Sequence, residues 1–117
     1  MGRSSSLALT AKEPSCAEQL ARFFPKAGPV RIPVQVSSPS GGRTGLREAT
    51  IVEFSGAEHA IFISNLPLEF GDCLKLEATG EGSPAEATVV AVQYHEGRKA
   101  VAVRFLQGPR DWVVRQP

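Results

Sequence analysis

Charge of one sign is what this sequence most lacks: 13 Lys and Arg stand against 12 Asp and Glu, a formal net charge of +1. A domain that grips duplex nucleic acid through its phosphates carries a clear basic excess, so duplex nucleic acid is not an expected partner. Cysteine is equally scarce. Cys16 and Cys73 lie far apart, with no CxxC pair and no histidines around them. That spacing points to isolated thiols in a reducing, cytoplasmic compartment and away from a disulfide framework or a metal site. No apolar run approaches the ~20 residues that a membrane helix needs, so a soluble protein with no membrane partner is expected.

Catalytic groupings are missing as well. His59 and His95 each sit alone in a turn and read as surface residues, without the partner spacing of a metal site or a general base. Ser55 has no histidine that would activate it and lies in no Gly-x-Ser-x-Gly elbow, so its use is hydrogen bonding within a turn. Nothing pairs a nucleophile with a base or gathers carboxylates. Neither an enzyme nor a resident cofactor is expected. Aromatics make up 7% of the chain and the strand faces carry aliphatics, which disfavours a stacking platform for single-stranded nucleic acid.

What is present is a succession of period-two apolar segments. The 117 residues suffice for one domain with one core. Residues 1–14, rich in Ser and charge, read as a flexible tail; Met1-Gly2 begins a loose myristoylation pattern, and Leu7-Ala8-Leu9 is too short for an export signal. Ser15 and Glu18 have the spacing of a capping box, opening a helix that runs to Phe24 and stops at Pro25. Cys16, Leu20 and Phe24 form its apolar stripe. So short a helix needs tertiary support, and the expected surface is an open rim of a barrel.

Val30, Ile32, Val34 and Val36 then alternate with polar residues as a half-buried strand. Pro33 places that strand at an edge or faces away from its pairing partner. Further strands are expected at 48–54, 60–64, 73–78, 85–94 and 99–106. The last two are joined by His95-Glu96-Gly97-Arg98, the signal of an antiparallel hairpin. In the final strand Val101, Val103 and Phe105 share one face, taken as core, and Ala100, Ala102 and Arg104 the other. With Val34, Ile51, Phe62, Leu74, Leu76 and Val89 they make up the expected core. Regular turn signals without βαβ alternation argue for an all-β fold, a six-stranded antiparallel barrel with a short helix before it. Trp112 is expected to fold back over a barrel end. The chain divides into a tail at 1–14, a short helix and lead-in at 15–25, and a barrel domain at 26–117.

Several residues in this order carry a resemblance: Arg31 leading into Ile32-Pro33-Val34-Gln35-Val36, the Glu53-Phe54-Ser55 corner, the Leu66-Pro67-Leu68-Glu69-Phe70-Gly71 loop, and the last strand followed by an aromatic. Over residues 26 to 114 the chain resembles the PilZ domain, a bacterial six-stranded barrel that receives the second messenger cyclic di-GMP. The resemblance implies a signalling domain with a nucleotide ligand. The family's first motif is Arg-x-x-x-Arg before the first strand, guanidinium groups that clamp phosphate and guanine. Arg31 matches its second arginine, Ala27 stands at the first, and Lys26 beside it offers a point charge. The second motif, Asp or Asn-x-Ser-x-x-Gly, corresponds to residues 53–58: Glu53 keeps an acceptor, Ser55 is unchanged, and Glu58 replaces the glycine.

The ligand residues implied are therefore Arg31, Lys26, Glu53 and Ser55, in weakened motifs. A literal Arg-x-x-x-Arg at Arg43 and Arg47 falls after the first strand and is taken as a chance match. Two functions stay open: a cyclic di-GMP receptor or adaptor, and a scaffold or protein-interaction module that keeps the barrel without the nucleotide.

Overall fold

Six strands of this chain close into a barrel in the order β1-β2-β3-β6-β5-β4, every neighbouring pair antiparallel. The structure is a computed structural model and describes residues 15–38, 46–78 and 84–106. The expected tail at 1–14, Arg43 and Trp112 lie outside the described residues. The elements are α1 (Cys16–Ala21), β1 (Gly28–Ser38), β2 (Leu46–Ser55), β3 (His59–Ile63), β4 (Cys73–Ala78), β5 (Ala85–His95) and β6 (Arg98–Phe105). Among the described residues no helix is long and apolar enough to cross a membrane.

Alternation builds the interior. Ile32, Val34 and Val36 of β1, Leu74 and Leu76 of β4, and Val101, Val103 and Phe105 of β6 are buried, together with Phe62 and Val89. On β2 the inward residue is Val52, fully buried between Ile32 and Phe62 across its two ladders, while Ile51 is only half-buried. The expectation for Ile51 is thus corrected by one position. Two adjacent β-branched residues cannot both point inward, and Glu53 is a bulge residue that resets the alternation beyond it. Pro33 sits beside the end of the β1–β4 ladder, whose last pair is Val34↔Ala78, so a closed sheet accommodates a residue with no N–H.

The final strand is buried on both faces, which a single-core reading does not anticipate. Ala100 and Ala102 are fully buried beneath α1 and join Ile61, Cys16, Ala17 and Leu20 in a second apolar cluster on the outer wall. The helix therefore lies across β3, β6 and β5 instead of on an open rim. Small side chains at 17, 100 and 102 let helix and sheet approach closely. The Cys16 thiol reaches the Gln93 carbonyl at 3.2 Å, and the Gln93 amide donates to Gln19 Oε1 at 3.1 Å.

Ser15 caps α1 as its spacing predicts, accepting from the Glu18 amide at 3.1 Å while Glu18 Oε1 accepts from the Ser15 amide at 2.8 Å. The helix ends at Ala21, earlier than Phe24. The amides of Phe23 and Phe24 reach back three residues to Leu20 and Ala21, a tightened last turn.

Each barrel end has its own closure. At the β5–β6 end, Glu96 (φ 54) and Gly97 (φ 80) both occupy the left-handed region, the geometry of a two-residue primed hairpin turn. The 64–72 crossover plugs that same end with buried Leu66 and Leu68. Glu48 clamps it, accepting from Ser64 Oγ at 2.7 Å and the Asn65 amide at 2.8 Å, and Lys99 Nζ donates to the Leu66 carbonyl. The opposite end holds the start of β1, the β2–β3 loop and the end of β6.

Two clusters, one inside the barrel and one outside, should both carry stability. Val103→Ala is expected to lose ~1–3 kcal/mol and Leu20→Ala ~2–5 kcal/mol in urea denaturation. A Leu20→Ala variant that unfolds at the parental urea midpoint would show the helix to be ornamental.

Candidate functional site

The two segments that the sequence singles out, 26–31 and 53–58, meet at one end of the barrel. Gly28 pairs with Ser55 and Pro29 with Phe54, which sets the lead-in to β1 against the β2–β3 loop. Gly56 makes the contact possible. A Cβ there would stand 2.6 Å from the Lys26 carbonyl oxygen and 3.6 Å from Ala27 Cα, so the two backbones touch where only glycine fits.

Beside this contact opens a crevice of about 320 Å³, lined by residues 23–27 and 56–59. Its walls are aromatic and mixed in charge. Phe23 is 73% exposed, and the Phe24 ring meets the His59 imidazole at 4.9 Å between centroids with the planes tilted by 49°. Lys26 supplies the cation and Glu58 the anion.

Each implied ligand residue has a definite place. Lys26 lines the crevice; Arg31, Glu53 and Ser55 do not. Arg31 is exposed in a β-bulge in which it and Val30 stand opposite the single residue Glu53. Among the described residues its guanidinium has neither hydrogen bond nor ion pair, leaving all five donors open to solvent. Ser55 is buried, and its hydroxyl is directed at the carbonyls of His59 (3.0 Å) and Gly56 (3.3 Å). The Gly56 amide donates to the same His59 carbonyl at 2.9 Å. Ser55 therefore tightens the loop, the use expected of it. Arg47 is exposed and pairs with Ser37, at the opposite end of the barrel from Lys26.

His59 is a correction to the expectation of two surface histidines. It is half-buried, and its pKa is lowered, chiefly by burial, with Arg104 across the β3–β6 ladder adding to that and Glu58 opposing it. The signal available in the sequence was its position directly before Ala60-Ile61-Phe62, one step from a buried strand. His95 is half-buried as well, with Nε2 lying 3.7 Å from Glu96 Oε2. Phe23 and Phe24 were legible as helix residues but not as crevice walls: α1 ends at Ala21, which leaves Phe23 exposed, while Phe24 packs against the Cys16–Leu20 cluster and lines the crevice as well.

Among the described residues no group of three or more His, Cys, Asp or Glu is placed to hold a metal ion, and Cys16 and Cys73 are free thiols, the first buried and the second exposed. The site brings together one cation, one carboxylate and three rings, with an exposed guanidinium nearby. The chain matches no protein-family model and no curated protein.

His59 gives the site a pH signature. Its folded pKa lies below the unfolded value of ~6.5, so between the two the unfolded chain binds a proton that the folded chain does not. Stability from this residue is present above pH ~6.5 and lost as pH falls through the window beneath it. Urea denaturation at pH 5 to 8 should show a slope that flattens in His59→Asn. An identical slope in parent and variant would assign the dependence elsewhere.

Proposed function

We propose that this chain is a PilZ-like bacterial signalling barrel, cytoplasmic and without catalytic activity, that serves as a weak receptor or adaptor for cyclic di-GMP. The ligand face is the end of the barrel that carries the crevice. The observation that carries this reading is convergence: segments 26–31 and 53–58, far apart in sequence, meet through Gly56 beside an aromatic-walled opening. A guanine base would stack on Phe23, Lys26 would offer a point charge to phosphate, and Arg31 a bidentate fork.

Weakness follows from the same residues. Ala27 supplies no donor, Glu58 opposes an anionic ligand, and about 320 Å³ is at the lower end of the ~300–1,000 Å³ of small-molecule sites, room for one base rather than two. These departures also favour a second reading, a protein-interaction module without a nucleotide, since Phe23, Pro25 and Ala57 offer a partner apolar surface.

Calorimetric titration with cyclic di-GMP separates the two. A receptor binds weakly, loses affinity with salt, and loses about tenfold or more in Arg31→Ala, because a hydrogen bond to a charged group contributes ~1.5–3 kcal/mol. The double variant Ala27→Arg, Glu58→Gly binds more tightly than the parent. Absence of heat in both parent and double variant contradicts the receptor reading and leaves the interaction module.

A further inference from the structure

We infer that the crevice face is the interface of an isologous homodimer, in which Lys26 of each copy pairs with Glu58 of the other across a two-fold axis and the Phe23 rings are buried between them. This goes beyond the proposed function and stands whether or not a nucleotide binds.

Closure of the barrel limits how two copies can meet. All six ladders are paired, so no strand edge is open to the addition of another chain, and a second copy must be held by side chains. Among the described residues the aromatic side chains most open to water are Phe23 (73%), Phe70 (76%) and Tyr94 (72%). Of these three only Phe23 lines the crevice. A ring beside an opening is the kind of anchor that concentrates binding energy at an interface.

Charge selects the occupant. Lys26 stands on the 23–27 side of the crevice and Glu58 on the 56–59 side, both exposed. Among the described residues neither side chain has a hydrogen bond or an ion pair. An occupant that satisfies this face must bring an apolar group, a cation and an anion together. A simple anion is opposed by Glu58, and an apolar peptide leaves both charges unmatched. A second copy of the same face supplies all three, because a two-fold axis sets each residue opposite the other and turns one unmatched pair into two matched ones. The frame is preorganised as well: the backbone contact between Gly56 and Lys26 holds the two segments against each other, so little ordering is required on association. Two short segments make a small face, which places the dimer in the transient class.

Sedimentation equilibrium of the full chain, from about 10 μM to about 1 mM, tests the inference. A monomer–dimer equilibrium that weakens with salt is expected. Lys26→Glu and Glu58→Lys each set like charges face to face and should lower the association constant about tenfold or more. The double variant Lys26→Glu, Glu58→Lys should restore it, and an equimolar mixture of the two single variants should form a mixed dimer. Phe23→Ser should weaken association as the single charge variants do, whereas Phe70→Ser, on the 64–72 crossover, should leave it parental. All four positions are exposed, so far-ultraviolet circular dichroism and the melting midpoint should stay parental.

A monomer throughout that range, or a dimer that both single charge variants leave intact, overturns the inference. Recovery in neither the double variant nor the mixture overturns the reciprocal pairing, and growth beyond the dimer overturns the two-fold closure. These measurements contain no nucleotide, so their outcome is independent of the calorimetric test of the receptor reading.

Discussion

The structure depends on one long-range closure, the pairing of β1 with β4 from Val34↔Ala78 to Ser37↔Lys75. The other five ladders join strands into an open sheet. This sixth one removes both edges, which would otherwise present unpaired N–H and C=O groups to other chains. Closure also defines an inside, filled by Ile32, Val34, Phe62, Leu74, Leu76 and Val103, and it fixes which loops share an end. The crossover at 64–72 plugs one end; the other is left to the β1 lead-in, the β2–β3 loop and the exit of β6. The site is a consequence of that division.

A closed barrel still has an outer wall, and here α1 uses it. Burying Ala100, Ala102 and Ile61 under the helix gives β3 and β6 two apolar faces and ties the 15–27 segment to the barrel. The fastening determines the crevice. With Leu20 and Cys16 anchored and the helix ended at Ala21, the tightened turn delivers Phe23, Phe24 and Lys26 to the β2–β3 loop. The loop in turn is held by Ser55 and Gly56, one by hydrogen bonding and the other by having no side chain.

Most of the fold was legible because period-two alternation is a strong signal in β1, β4 and β6, and β4 runs from Cys73 to Ala78 as expected. What escaped had physical causes. Ile51 and Val52 are chemically equivalent neighbours, and only the bulge at Glu53 decides which is inside. Ala100 and Ala102 are too small to announce a second buried face, so the helix's seat on the wall was invisible. At the site, the resemblance to the PilZ domain implied Lys26, Arg31, Glu53 and Ser55 as a set, of which only Lys26 lines the crevice. How the other three divide was not legible: one is exposed on a bulge, one is the bulge partner, and one is spent on holding the loop.

We propose the convergence of 23–27 with 56–59 as the ligand face. Amide chemical-shift mapping of the full chain at millimolar cyclic di-GMP tests it most directly. The expected perturbations cluster at residues 23–27 and 56–59, extend to Arg31, and leave Arg47 and the Glu96-Gly97 turn unmoved. Perturbations centred on Arg47, or none at residues 23–27 and 56–59 at saturation, would contradict it.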